Sequence, residues 1–361
     1  MPLTQIRTSN LDTTNSLFFR NRIINGSMVI DQRNAGASVN VTTELYTLDR
    51  WFFANTVSGK LTCQQNAGSV TPPSGFKNYL GVTSASAYSV LTGDLFALKQ
   101  HIEGFNTADL GFGAAGASTV TLSFWVRSSL TGTFGASLVN NAFDRSYVFT
   151  YTINSANTWE YKTITIAGDT SGTWVGATNG IGFRIYFNLG AGSTYSGGTS
   201  NTWNAGGYAG SSGTTSVVGR SGATFYITGV QLEKGTAATA FDYRPYGTEL
   251  ALCQRYFYMM AKGNQINFAA SNYWGTTELD AYISHKVSMR TAATVYQVTG
   301  TNYFNVDRSG NDTFDGFGGI IRGNENGGMM YATSNVSGTD GFAAQIETYN
   351  ANAVIAFQAE L

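Results

Sequence analysis

Val120-Thr121-Leu122-Ser123-Phe124-Trp125-Val126-Arg127 alternates strictly, with every even position apolar. Side chains on a strand point to opposite faces in turn, so this is the pattern of a half-buried strand. Ile181-Gly182-Phe183-Arg184-Ile185-Tyr186-Phe187-Asn188-Leu189 repeats it with the odd positions apolar. Leu98, Gln100 and Ile102 alternate with Lys99, His101 and Glu103. In Phe225-Tyr226-Ile227-Thr228-Gly229-Val230-Gln231-Leu232 the phase slips at Gly229, which predicts a β-bulge there.

Composition points the same way. Only 12% of the 361 residues are charged and 14% are aromatic, against about 25% charge in an ordinary globular domain. The polar surface must then come from Ser, Thr, Asn and the 43 glycines, which favour strands and turns over helices. Many short strands with Gly, Asn and Ser turns indicate a sandwich. No strand–amphipathic helix alternation supports a doubly wound sheet. The chain is therefore read as all-β.

Strand signals run from about Phe18 to Tyr246, preceded by a polar arm over 1–17. Gly190 to Gly222 is rich in Gly and Ser and carries Tyr195, Trp203 and Tyr208. After Tyr243-Arg244-Pro245-Tyr246 comes the best helix candidate, 247–259, with Thr248 as cap, Glu249 in the first turn, and Leu250, Cys253 and Phe257 on one face. A second, smaller β domain is expected over 260–361, with strands at Thr294–Val298 and Ala353–Phe357.

The net charge is −1 with no basic run, so no nucleic-acid partner is expected. No apolar stretch is long enough to insert in a membrane. The first ten residues lack a basic segment followed by an apolar one, so no signal peptide is expected. Cys63 and Cys253 lie far apart and give neither a disulfide framework nor a metal-type spacing, which fits synthesis in a reducing cytosol.

Chemistry is sparsely provided. Gly111-Phe112-Gly113-Ala114-Ala115-Gly116 matches a dinucleotide fingerprint, but a strand follows where a helix is required, so a turn is expected. His101 and His285 are the only histidines, too few for a multi-His metal site and a poor basis for a Ser-His-Asp triad. His101 is read as a solvated or hydrogen-bonded side chain. Asp307, Asn311, Asp312 and Asp315 sit in a Gly-containing loop without calcium-loop spacing and read as a turn. Glu103 and Glu233 are generic candidates for a glycosidase acid pair. No cofactor, metal or catalytic residue is expected.

Two features could meet a ligand. One is the polar phase of the alternating strands: Lys99, His101, Glu103, Trp125, Arg127, Arg184, Tyr186 and Asn188. If those strands are neighbours, aromatic faces and fixed polar groups line one sheet, a mixture suited to sugars; otherwise the face is solvated or covered. The other is the Gly/Ser loop, whose Tyr195, Trp203 and Tyr208 serve either as a binding loop or as clamps on the protein's own sandwich.

Several segments resemble proteins of tailed-bacteriophage virions. They are Phe19-Arg20-Asn21-Arg22-Ile23-Ile24-Asn25-Gly26-Ser27-Met28, Asp31-Gln32-Arg33, Tyr46-Thr47-Leu48-Asp49-Arg50-Trp51, Leu122–Arg127, Ile227–Glu233, Arg244–Leu250 and Cys253-Gln254-Arg255-Tyr256-Phe257. The resemblance covers roughly Phe18 to Phe257 and little beyond Met260. It implies a jelly-roll sandwich similar to carbohydrate-binding modules over 18–246, the linking helix, and a variable β domain. It also implies a homo-oligomer, with a trimer favoured, joined to other virion proteins through the N-terminal arm. The function it implies is a tail-fibre or receptor-binding component of the virion that binds host-surface carbohydrate without catalysis. A head fibre, capsid decoration or tail adaptor is the structural alternative. A polysaccharide depolymerase and a free carbohydrate-binding module stand behind these.

Overall fold

The computed structural model describes residues 19–308 and 310–361. The chain divides between Tyr246 and Gly247 into two compact units. The expected arm over 1–17 lies outside the described residues.

The first unit holds β1 (Val39–Asn40), β2 (Glu44–Tyr46), β3 (Phe52–Asn55), β4 (Leu61–Gln65), β5 (Leu80–Ser84) and β6 (Leu95–Glu103). Then come β7 (Val120–Ser128), β8 (Gly132–Val139), β9 (Arg145–Ile153), β10 (Glu160–Ile166), β11 (Ile181–Ala191), β12 (Thr202–Ala205) and β13 (Thr224–Lys234). They form two antiparallel sheets, ordered β1-β4-β5-β13-β7-β10 and β12-β9-β8-β11-β6-β3-β2. Early strands pair with late ones, as β5 with β13 and β6 with β11. This is an all-β, jelly-roll sandwich.

The apolar phases face inward. Leu122, Phe124 and Val126 of the first sheet meet Phe183, Ile185 and Phe187 of the second in one buried cluster. Phe124 and Phe187 stand 5.1 Å apart across the layers, and Phe134 and Phe225 6.1 Å. Such offset and edge contacts are the favoured aromatic geometry.

The slip at Gly229 is a bulge. The β13–β7 register shifts between Thr228 and Gln231, and Gly229 takes a φ of 61°, a left-handed conformation that suits glycine. Gly111, Gly113 and Gly116 also have positive φ and form turns ahead of β7.

Three expectations need correction. First, β6 is not half-exposed: all nine of its residues are buried. It lies between β11 and β3, and central strands covered on both faces lose their solvated phase. His101 is thus buried, with its ring 5.9 Å from Phe52 and its carbonyl accepting from Arg50 at 2.6 Å. Gln100, in the apolar phase, instead ties down Ile24 through both its backbone groups. Second, β7 is in one sheet and β6 and β11 in the other, so the polar phases do not make one surface.

Third, the helix is shorter and earlier than 247–259. Helix α1 spans Tyr246–Gln254, so Thr248 lies inside its first turn rather than capping it. Phe257, Tyr258 and Met259 belong to β14 (Phe257–Tyr273), paired with Gln358, Phe357 and Ala356. Aromatic residues next to a free sheet partner favour the strand over another helical turn.

The second unit continues with β15 (Leu279–Ser284), β16 (Thr294–Val298), β17 (Phe304–Arg308), β18 (Gly310–Phe314), β19 (Gly319–Asn324), β20 (Gly327–Ala332) and β21 (Ala343–Gln358). Its sheet runs β18-β17-β21-β14-β15-β20-β19, with β16 also on β21. The acidic loop is the β17–β18 hairpin. Tyr273 donates to Asp312, and Asp315 accepts from Asn302 and Asn335. His285 is packed against Phe357, and burial holds its pKa below the usual value. No helix among the described residues is long and apolar enough to cross a membrane.

Candidate functional site

Most of the residues singled out in the sequence are spent inside the first unit. Tyr186 and Asn188 are each 2% exposed. Asn188 lies under the Gly/Ser loop, where its amide donates to Thr214 and Gly210 packs on it. Arg184 points at the β8–β9 turn, donating to the carbonyls of Asn140 (3.0 Å) and Asn141 (2.6 Å) and crossing the Phe143 ring. Arg127 donates to the Asn157 carbonyl at 2.9 Å and lies over Tyr226. Lys99 sits over the Phe52 ring at 4.2 Å, where burial brings its pKa down to about 8 against the pull of Glu44. Glu103 and Glu233 stand on different sheets, both buried.

The loop aromatics clamp the loop to its own sandwich. Tyr208 fills the space over Gly197, Gly198 and Gly206, and the Tyr195 carbonyl accepts from Ala209. Trp203, on β12, donates to the Ala167 carbonyl at 2.9 Å. Its ring meets Tyr147 at 5.3 Å and Trp174 at 5.5 Å. Arg145 beneath them holds Asp169 through two bonds of 2.7 Å. Trp203→Ala is therefore expected to cost about 3 kcal/mol, a typical loss for a packed ring, while ligand binding elsewhere stays unchanged. A thermal melt beside a binding titration checks both.

Trp125 is the exception. It stands on the outer face of β7, opposite Tyr161 of the edge strand β10, with the rings 5.3 Å apart. On its other side lies Thr228 of β13, next to the bulge. Trp125 and Tyr161, with Ser123, Phe76, Phe241 and Tyr243, line a groove of about 470 Å³. Tyr161 is 44% exposed and Tyr243 55%. Among the described residues no charged side chain lines it, while Ser123, Ser74 and Thr239 supply hydroxyls.

The groove is built from distant pieces of sequence. The tip of the Phe76 ring packs against the bulge: a Cβ on Gly229 would lie 2.5 Å from it. Phe241 lies 5.1 Å from Phe76 and 4.8 Å from Tyr243, whose hydroxyl donates to the Gly75 carbonyl. The strap 239–243 carrying these rings is held by two buried side chains of β13. Glu233 accepts from the Thr239 amide (2.8 Å), the Thr239 hydroxyl (2.7 Å) and Gln231 (2.9 Å). Gln231 accepts from the Asp242 amide at 2.8 Å. Of these residues the sequence singles out Trp125 alone; Phe76, Tyr161, Phe241 and Tyr243 are not among its candidates. The alternation of Tyr161, Thr163 and Thr165 with Ile164 and Ile166 was the one available signal.

Glu160 opens the strand that presents Tyr161. Burial alone would raise its carboxyl. Hydrogen bonds from Lys162 and the amides of Ser155 and Asn154 outweigh that and hold it at about 2, below the ordinary 4.5. A depressed carboxyl stabilises the fold above its unfolded value and loses that contribution as pH falls through the folded one. Glu160→Gln is expected to cost about 1–2 kcal/mol at neutral pH, allowing for partial exposure. The difference from wild type should vanish between pH 4.5 and about 2, read from denaturant midpoints across that window.

Among the described residues, no group of three or more His, Cys, Asp or Glu is placed to hold a metal. Cys63 and Cys253 are both buried.

No family model and no curated protein matches the chain. Solved structures similar to it include a CBM4 carbohydrate-binding module, at 16% identity and a TM-score of 0.30, over 58% of this chain and 98% of that one. A family 11 carbohydrate-binding module from Clostridium thermocellum is 12% identical, with a TM-score of 0.28, over 56% and 98%. The enzymatically active domain of tailspike protein 4 from bacteriophage CBA120 is 11% identical, with a TM-score of 0.31, over 60% of this chain and 22% of that one. At these scores the likenesses place no residue and no ligand; the fold stands on its own strand order.

Proposed function

We propose that the protein is a glycan-binding component of a tailed-phage virion, acting without catalysis, and that the groove at Trp125 is its sugar site. The groove carries this reading. Exposed rings beside hydroxyls and backbone, with no charge in the lining, suit the apolar ring faces and hydroxyl edges of a saccharide. Placement in the virion, at a tail fibre or receptor-binding position, rests on the motifs from Phe19 to Phe257. Weak single-site binding would be multiplied by a homo-oligomer, a trimer in this reading, through avidity. A head fibre, decoration or adaptor role remains the second reading. The commitment of Tyr195, Trp203 and Tyr208 to the protein's own fold favours it.

The test is titration of the full chain, of known mass in solution, with host-surface polysaccharide and a panel of oligosaccharides. Trp125→Ala should weaken binding at least about tenfold, or 1.4 kcal/mol, with the melting midpoint and oligomer mass unchanged. A well-folded oligomer that binds no glycan points to the structural reading. Release of reducing sugar would overturn the non-catalytic one.

A further inference from the structure

Away from the groove, the first unit has a second concavity of about 530 Å³. Its walls are Ser129 and Thr131 from the β7–β8 turn, Ala156 from the β9–β10 turn, and Thr215, Ser216 and Arg220 from the segment leading into β13. We infer that this pocket binds an oxyanion, a carboxylate, phosphate or sulfate group, with Arg220 as its cation.

The hydrogen-bond inventory carries the inference. The Ser129 hydroxyl oxygen already accepts the Thr224 amide at 2.9 Å, and that of Ser216 accepts the Gly219 amide at 3.1 Å. A hydroxyl has one proton and two lone pairs, and each of these two has spent a lone pair and keeps its proton to give. Gly132 has no Cβ, which leaves room for the Thr215 hydroxyl over it. Arg220 is exposed, and among the described residues its guanidinium has no ion pair and no hydrogen bond. Guanidinium offers five N–H donors and no acceptor, in a fork that fits an oxyanion. Among the described residues no carboxylate lines the pocket to neutralise it. The lining is thus rich in donors and positively charged, the converse of the neutral, ring-lined groove at Trp125.

The experiment titrates the full chain with three probes: inorganic phosphate, inorganic sulfate and an oligogalacturonate. Saturable binding is expected, weakening as salt is raised, since exposed charge pairs are screened. Arg220→Gln should reduce it at least tenfold without moving the melting midpoint, because the side chain holds nothing in the fold. Thr131→Asp, at an exposed rim position, should abolish it by repulsion. Trp125→Ala should leave it untouched, which separates this site from the sugar groove. Tighter binding of the oligogalacturonate than of both free ions, by tenfold or more, assigns the pocket to an acidic glycan. Equal affinities assign it to free oxyanions. No saturable binding of any probe, or equal binding by wild type and Arg220→Gln, overturns the inference.

Discussion

Gly26→Ala should destabilise the first unit by about 3 kcal/mol or more, the upper range for overpacking. In a unit of this size that lowers the melting midpoint by roughly 6–12 °C. A Cβ at this position would overlap the backbone carbonyl oxygen of Val230. Backbone cannot swing aside as a side-chain tip can. The two strands of chain are also joined there, since the Val230 amide donates to the Gly26 carbonyl at 3.0 Å. Around them Asn21 donates to the Val230 carbonyl and accepts from the amides of Ile23 and Leu232. Separating Gly26 from β13 would break this set of buried bonds together. Gly176→Ala is the control: nothing lies within reach of its added Cβ, so its effect should stay within about 0.5 kcal/mol. Equal melting of the two variants would refute the packing argument.

Glu233→Ala should cost about 2–4 kcal/mol, because it leaves donors from Gln231 and Thr239 without their acceptor, and should also weaken glycan binding. Glu233 is not itself a lining residue of the groove and is bonded to Thr239, which is. It acts by holding the strap that carries Phe241 and Tyr243. Glu233→Gln keeps one acceptor oxygen and should lose less of both. The informative comparison is at a temperature where all variants are folded. Lower glycan affinity there, with Trp125 intact, places the strap in the site. Wild-type affinity despite lower stability means that Phe241 and Tyr243 are scaffolding and the sugar rests on Trp125 and Tyr161 alone.

The strands β7, β11 and β13 were legible because their alternation is set by the pleat itself, and the bulge because a phase slip at glycine has few other meanings. β6 misled for a physical reason. Its Lys99, His101 and Glu103 look like a wet face. Arginine and lysine stems pack against rings, however, and buried polar groups are tolerated once hydrogen-bonded. Phe257–Met259 misled because local helical spacing competes with a strand partner nearly a hundred residues away, β21, that no local window contains. Asn188, Tyr186 and Trp203 have the composition of a binding surface. What decides between surface and clamp is which loop lies over them.

A β-sandwich followed by a second β unit, the apolar faces of the main strands and the bulge in one of them can all be read from the order of residues alone. Those are properties of neighbouring residues, and period and composition report them directly. Which outward faces remain open depends on how distant strands pair and what is laid over them. Trp125 and Tyr161 meet because β10 pairs with β7, and Phe76, Phe241 and Tyr243 join them because a bulge admits one ring and a buried glutamate holds the other two. Exposure is a property of what the rest of the chain does, so the groove came into view only when all the pieces were in place.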